Sequence, residues 1–254
     1  RSKLGALAAE IALGETGLID PDSAARIGKV HGLQAIVEGS ITPEGVRVRV
    51  IHTETAKIIA TGSVAGVGSI DQLGTQLASG IETFIMRENL KRMRNDAPDI
   101  ELTLGVNAPG GRAIAAVGKQ GSVKVGSTIE FSFSASHDGY LTIIDIQPSG
   151  DVVVLYPNDF SGSNQVKAGV RYSIPGPEDG FELAVTEPAG TDTVIAFFTR
   201  RKVDWLDMKK LQGEGFRTVP LGERLAVQRA ITVMATGLTR KDWESVEVNV
   251  EVAK

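Results

Sequence analysis

The sequence predicts an α+β protein, in which a small α/β domain with an antiparallel meander precedes a β-sandwich-like domain with C-terminal helices. Residues 139–198 alternate short apolar runs with turn sequences such as Pro-Ser-Gly and Pro-Gly-Pro, as consecutive β-strands on a shared core do. A chain of 254 residues has room for two ordinary domains. We therefore predict an α/β domain at residues 1–94, a linker at 95–98 and a β-rich domain at 99–254.

The N-terminal part is predicted to contain a short helix followed by three strands. Asp20-Pro21-Asp22 starts the helix, because aspartate caps free amides and proline tolerates the first helical position. Strands follow at residues 35–41, 46–52 and 58–64. Their connections are short enough only for hairpins, so we expect an antiparallel meander.

A long helix is predicted to lie across this meander. It runs from a capping box formed by Ser69 and Gln72 to about Met93. Gly74 and Gly80 weaken this helix by about 1 kcal/mol each relative to alanine, so tertiary packing must hold it. Both glycines would allow a close approach to the sheet.

The second half is predicted to contain mainly strands, with two helices near its end. The spacing of the strands suits a β-sandwich, and the last one alternates valine with polar residues. The predicted strands cover residues 101–106, 122–125, 128–135, 140–147, 152–156, 170–174, 181–185, 193–199 and 243–252, and the helices cover 204–211 and 221–235.

Composition excludes several classes of partner and site. A net charge of −4 without a basic excess in either half disfavours nucleic acid as a partner. The chain has no cysteine, so disulfides and thiolate zinc sites are excluded, and both a reducing cytoplasm and a periplasm remain open. No apolar stretch approaches the ~20 residues of a transmembrane helix. A lipid anchor upstream of Arg1 would therefore be the only contact with a membrane.

No set of catalytic or metal-binding residues is recognisable, so we expect no enzyme activity, no metal and no cofactor. His31, His52 and His137 lie apart from one another, without a partner at helical spacing. His137-Asp138 has the composition of a base and an orienting acid, but the following glycine favours a turn. The sequence has no nucleophile elbow, phosphate loop or dinucleotide fingerprint.

Two charged segments have a functional and a structural interpretation. The acidic residues between 178 and 187 suggest calcium, yet the twelve-residue spacing of a calcium loop is absent. Arg200-Arg201-Lys202 with Trp205 suggests nucleic acid or anionic lipid, but the negative balance of the chain favours an exposed strand end. We expect both segments to be solvated surface.

The candidate binding surface is the loop after the strand at residues 152–156. Aromatic, proline and amide side chains coincide there at a strand end, a composition common in recognition surfaces. Part of this composition also serves the fold, because proline stops a strand and asparagine closes a turn. The candidate residues are Tyr156, Pro157, Asn158, Phe160 and Asn164.

The second half resembles a bacterial domain family of unassigned function. Its hallmarks are a Gly-Tyr-Leu strand, a glycine turn, a strand that ends in Leu-Phe-Pro-Asn or Leu-Tyr-Pro-Asn, a turn with Asn and Ala-Gly, an Ile-Pro step and a Pro-x-Gly turn. The resemblance implies a β-rich accessory module without known chemistry, of a kind that is appended to envelope proteins and caspase-like proteases. The matching residues are Gly139-Tyr140-Leu141, Gly150, Leu155-Tyr156-Pro157-Asn158, Asn164 with Ala168-Gly169, Ile174-Pro175 and Pro188-Ala189-Gly190.

The first half resembles a superfamily of envelope assembly proteins. This superfamily includes the curli-secretion channel subunit, flagellar outer-membrane lipoproteins and outer-membrane activators of penicillin-binding proteins. The matching residues are Gly17-Leu18-Ile19-Asp20, residues 24–29, residues 35–40 and the hairpin at 46–61. A transmembrane strand needs ~9–11 residues, and the short hairpin loops leave no room for it, so a periplasmic adaptor is favoured over a pore.

These resemblances lead us to expect a non-catalytic protein of the periplasm or cell envelope, attached to the outer membrane. It would act in assembly or as an adaptor, through an envelope protein partner or through self-association. An alternative is a module that binds glycan or peptidoglycan, with Tyr140, Tyr156 or Trp205 stacking on sugar rings. A third reading, a hydrolase, has no identifiable nucleophile.

Overall fold

The computed structural model describes residues 21–22, 34–204 and 206–254, and this part of the chain confirms the α+β class. It contains two α-helices, α1 (Ile70–Arg92) and α2 (Arg224–Gly237), together with three β-sheets. Neither of these helices is long and apolar enough to cross a membrane.

The first of two compact units contains a three-stranded antiparallel sheet in the order β1-β2-β3. Its strands are β1 (Ala35–Thr42), β2 (Gly45–His52) and β3 (Lys57–Val64), which confirms the predicted meander. The helix predicted to start at Asp20 lies outside the described residues, apart from Pro21 and Asp22, which are helical.

Helix α1 packs closely on this sheet at one of its two glycines. A Cβ atom on Gly80 would lie 2.7 Å from Cβ of Ala60 and 3.0 Å from the carbonyl oxygen of Ile59. A Cβ atom on Gly74 would meet nothing within 4 Å. The close approach expected at both glycines therefore occurs at Gly80 alone. The buried cluster of this unit is formed by Val46, Val64 and Leu73.

The second unit begins at Ile85 and is built on two further sheets. The strands are β4 (Leu102–Ala108), β5 (Arg112–Ala116), β6 (Gly121–Lys124), β7 (Thr128–Ala135), β8 (Gly139–Ile146), β9 (Val152–Tyr156), β10 (Gln165–Val166), β11 (Tyr172–Ile174), β12 (Leu183–Ala184), β13 (Gly190–Thr199), β14 (Arg217–Thr218) and β15 (Trp243–Ala253). One sheet has seven strands in the order β14-β9-β8-β13-β15-β6, with β10 also paired to β8. The other has five strands in the order β11-β7-β4-β5, with β12 also paired to β7.

The seven-stranded sheet is buried on both faces. On one face, Ile143 joins residues of the five-stranded sheet, such as Phe131, in a core that the two sheets share. On the other face, Ile144 packs in a second cluster with Ile231 of α2. Successive side chains of a strand point to opposite faces, so β8 is apolar along most of its length instead of alternating.

The helix predicted at residues 204–211 is wrong. The described part of this segment has only a 3₁₀ turn at Met208–Lys210. The side chain of Asp207 accepts a hydrogen bond from the N–H of Lys209, and such local bonds compete with a continuous helix. The segment is also too short to be helical without packing support. Trp205 lies outside the described residues.

The other elements predicted for the second unit are confirmed, with ends that shift by a few residues. The short strands β5, β10 and β14 have no counterpart among the predicted elements. The linker at residues 95–98 stays a prediction. Within it, Asn95 is buried, and its side-chain amide donates to the carbonyl of Trp243 at 2.7 Å.

Candidate functional site

Residues 157–164 form a loop that interrupts the pairing along one edge of β8. β9 pairs with β8 as far as Tyr156, and β10 resumes the pairing at Gln165. The other edge of β8 is occupied by β13, so β9 and β10 share one edge. At the return point the N–H of Leu141 donates to the carbonyl of Asn164 at 2.8 Å. The loop therefore leaves and re-enters the sheet at fixed positions.

Asn158, one of the predicted residues, organises this loop from within. Its Nδ2 donates to the carbonyl of Leu155 at 2.9 Å, and its Oδ1 accepts from the N–H groups of Phe160 and Ser161 at 2.9 and 2.8 Å. The residue is 8% exposed. Because most of the capacity of its amide is used inside the loop, Asn158 has a structural role and little left for a ligand.

An ion pair between Asp159 and Arg217 fastens the loop to β14. Nη2 of Arg217 lies 2.9 and 3.1 Å from the two carboxylate oxygens of Asp159. The N–H of Gly215 donates to the same carboxylate at 2.9 Å. The hydrogen bonds from Arg217 and Gly215 lower the pKa of Asp159 from its ordinary value, so the carboxylate stays charged. Multiple hydrogen bonds of this kind fix geometry better than an ordinary surface ion pair does.

The two predicted aromatic residues lie in different surroundings. Tyr156 is 6% exposed, and its ring centroid lies 5.2 Å from that of Phe133. Burial raises the pKa of Tyr156 to about 12. Phe160 is 54% exposed, and its ring lies 4.5 Å from Phe181 and 6.0 Å from Phe216. Tyr156 therefore belongs to the core, whereas Phe160 is the exposed member of a cluster of three phenylalanines.

A groove with a volume of about 620 Å³ lies beside the loop. Five half-buried side chains line it, and we refer to four of them, those of Tyr140, Pro157, Met208 and Arg217, as the floor; the fifth is that of Asn164. The rim is formed by the exposed residues Asp159, Gly162, Ser163, Gln165, Lys202 and Lys209.

Three of the five predicted residues line the groove, namely Pro157, Asn158 and Asn164. The lysines of the rim, Met208 and Arg217 were not among the predicted residues, because they come from segments that lie far along the chain. β14, which carries Arg217, has only two residues and no periodicity that a sequence pattern could detect.

The histidines and the acidic residue next to them do not converge on the groove. Nε2 of His137 lies 3.1 Å from Nη2 of Arg200, and His52 is in the other unit. Asp138 accepts hydrogen bonds from the turn that follows β10. His31 lies outside the described residues. In the described part of the chain, no group of three or more His, Cys, Asp or Glu side chains could hold a metal ion.

A second polar site is a pair of carboxyl groups, Asp145 and Asp192, that border a cavity of about 100 Å³ in the second unit. Within the described residues, neither Oδ1 atom has a hydrogen-bond partner. Burial raises the pKa of Asp145 well above its ordinary value and raises that of Asp192 to about 6. Arg87 of α1 opposes both shifts through its charge, while its Nη2 lies 3.4 Å from the carbonyl oxygen of Ile146.

Two family models match the chain. Residues 1–46 match the family described as curli production assembly/transport component CsgG, and residues 122–202 match a domain of unknown function, DUF4384. The first 46 residues are therefore similar to CsgG, and part of the second half is similar to DUF4384. Both halves of the resemblance predicted from the sequence are therefore confirmed. No curated protein and no solved structure matches the chain significantly.

The DUF4384-like segment contains the loop and much of the groove. Tyr140, Lys202 and residues 157–165 fall within it, whereas Met208, Lys209 and Arg217 follow its end. The groove therefore combines residues inside and outside the matched segment.

Proposed function

We propose that the protein is a non-catalytic module of the bacterial cell envelope, located in the periplasm, that acts in assembly by binding another protein at the groove. The observation that carries this proposal is the rigid groove beside residues 157–164. The similarity of residues 1–46 to a family described as a curli production assembly and transport component supports the envelope setting.

The loop is held in shape before any partner arrives. Asn158 bonds three main-chain groups, and Asp159 bonds Arg217 and Gly215. Because the loop is already ordered, little conformational entropy is lost on binding. Tyrosine, methionine and arginine, which form the floor together with Pro157, are enriched at protein interfaces. These features favour docking of a protein.

The chemical groups of the groove support binding better than they support bond-making. Asp159 is held as an ion pair, and no histidine is among the described residues that line the groove. The hydroxyl of Ser163 accepts a hydrogen bond from the N–H of Gln165. A serine nucleophile requires a base within hydrogen-bond reach, and among the described residues no side chain that lines the groove is hydrogen-bonded to the hydroxyl of Ser163.

Site-specific photo-crosslinking tests this function. A photoreactive amino acid at Ser163 on the rim should give discrete protein adducts in the host bacterium. The same amino acid at Val233, which is 70% exposed on α2 and does not line the groove, is the matched control. Gel filtration of the purified chain, combined with crosslinking, shows whether the partner is a second copy. If Ser163 gives no more protein adducts than Val233, the proposal is wrong.

A second candidate function, glycan binding, is favoured by one observation. Tyr140 lines the groove together with the side chains of Asn164 and Gln165, and an aromatic ring beside amides suits a sugar. A ligand that binds only the folded protein must raise its melting temperature. A rise in melting temperature with muropeptides that Tyr140→Ala abolishes would favour this function over protein docking.

A further inference from the structure

The groove presents more positive than negative charge. Asp159, the only acidic side chain among the described residues that line it, is neutralised by Arg217. Lys202 and Lys209 remain on the rim. Lys202 forms a weak exposed contact with Asp204, with 3.6 Å between Nζ and Oδ1, and Lys209 forms no ion pair among the described residues. Two ammonium groups are therefore available to a ligand.

Two side-chain amides add uncommitted hydrogen-bonding groups. Among the described residues, the side chains of Asn164 and Gln165 have no hydrogen-bond partner, in contrast to the amide of Asn158. Each amide offers two donors and a carbonyl acceptor, which match the N–H and C=O groups of a peptide. These two residues lie at the return of the loop, whose main chain is fixed to β8.

The floor offers contacts of a different kind. Met208 is flexible and polarisable, so its side chain adapts to irregular apolar surfaces. Tyr140 provides one aromatic face and Pro157 an apolar one. An apolar side chain of a ligand would therefore fit the floor while charged groups contact the rim, as in interfaces with an apolar centre and a polar rim.

We propose that the groove binds a protein segment in which acidic side chains flank an apolar or aromatic residue. The apolar residue contacts Met208 and Tyr140, the carboxylates pair with Lys202 and Lys209, and the peptide groups bond the amides of Asn164 and Gln165. This proposal rests on the proposed docking function and adds the chemistry of the partner. Exposed lysines at a rim increase the rate and specificity of association with an acidic partner.

An acidic protein segment fits the groove better than an acidic glycan does. Glycan sites commonly use aromatic rings that stack on sugar faces, and Tyr140 is the only aromatic side chain that lines the described groove. Methionine and arginine in the floor are instead typical of contacts with proteins. Binding of an anionic glycan is kept as an outcome of the test.

The first test measures binding of defined probes to the full chain. The probes are a labelled peptide with the sequence Glu-Glu-Tyr-Glu-Leu-Glu-Glu, its counterpart with glutamine at every glutamate, and oligogalacturonate. We expect the acidic peptide to bind about tenfold more tightly than the glutamine peptide, with a smaller difference at high salt. The double variant Lys202→Glu/Lys209→Glu should remove the preference. Lys210→Glu, next to the groove but not lining it, is the control and should keep it.

The results of this measurement are decisive in either direction. Equal binding of the two peptides, no measurable binding of the acidic one, or a preference that survives the double charge reversal would overturn the proposal. Tighter binding of oligogalacturonate than of the acidic peptide, lost in Tyr140→Ala, would also overturn it and assign the groove to glycan.

The second test separates this proposal from the docking function. Protein adducts from the photoreactive residue at Ser163 are digested, and the crosslinked segment of the partner is sequenced. We expect this segment to be rich in Asp and Glu. The adduct should be lost when the protein carries Lys202→Glu/Lys209→Glu. It should return when that variant is combined with a partner whose acidic residues in the segment are changed to lysine. A captured segment without acidic residues would overturn the acidic chemistry but keep the docking function. Absence of any protein adduct would overturn both.

Discussion

Asp145 on β8 and Asp192 on β13 face the same core from neighbouring strands. Val194, two residues after Asp192, lies directly opposite Asp145, so the three side chains share one face of the sheet. Burial raises both carboxyl pKa values, and Arg87 compensates only in part. The pair therefore holds protons at a pH where ordinary carboxyl groups have lost them.

Protons held by the folded state make stability depend on pH. The pKa of Asp192 rises from about 3.9 in the unfolded chain to about 6 in the folded protein. The protonated Asp192 therefore contributes to the free energy of unfolding fully below about pH 4, and this contribution is lost as pH rises through about 6. We expect Asp192→Asn to reduce this loss of stability. At pH 7.5 the free energy of unfolding of the variant should exceed that of the native protein by about 1–2 kcal/mol, after solvent screening is allowed for. Urea unfolding at pH 5 and pH 7.5 measures the difference. Asp204→Asn, on the surface, is the control, and equal pH dependence of the native and Asp192→Asn proteins would contradict the prediction.

The two glycines of α1 should respond to alanine with opposite signs. At Gly74 a methyl group meets nothing, so the gain in helix propensity should stabilise the protein by about 0.5–1 kcal/mol. At Gly80 the methyl group would press on Ala60, and overpacking should outweigh propensity and destabilise by about 1–2 kcal/mol. Urea unfolding of both variants tests this pair, and a change of the same sign at both sites would be inconsistent with the packing described.

Asn158 and Asn164 should separate stability from binding. Asn158→Ala removes three hydrogen bonds from a buried amide and should cost about 2–3 kcal/mol. Asn164→Ala should change the free energy of unfolding by less than about 0.5 kcal/mol, yet weaken binding of the acidic peptide. Unfolding and peptide titration on the same samples provide the comparison. If Asn164→Ala binds the peptide like the native protein, its amide has no part in recognition.

Tyr156 should behave as a core residue. Tyr156→Phe keeps the ring against Phe133, so the free energy of unfolding should change by less than about 1 kcal/mol and peptide binding should be unaffected. Tyr156→Ala leaves a cavity and should cost about 3–5 kcal/mol. Thermal and urea unfolding measure both effects. A large loss of binding in Tyr156→Phe with normal stability would place the hydroxyl in the recognition surface instead.

Local sequence patterns were sufficient where burial follows the period of an element. The alternation in β2 places Val46 and Val50 on the buried face of the meander, and the apolar residues of β8 reflect burial on both faces. In residues 204–211 the pattern predicted a helix that does not form. The side chain of Asp207 accepts a hydrogen bond from the N–H of Lys209, and this local bond competes with a continuous helix.

The groove could be predicted only in part, since its two sides come from separate segments. Pro157 and Asn164 lie in a loop with a recognisable composition, whereas Arg217 reaches the same place through pairing of β14 with β9, and Lys209 lies in the 3₁₀ turn at Met208–Lys210. The orientation of the Tyr156 side chain could not be predicted from the sequence either. Its position at a strand end suggested exposure, but the strand directs its ring toward Phe133.

The interruption between β9 and β10 has a consequence for divergence among related proteins. Both ends of residues 157–164 are fixed to β8, so insertions or deletions between them leave the register of the sheet unchanged. The sheet can therefore be retained while the length and sequence of residues 157–164 change, so we expect relatives with the same strands to differ in this loop.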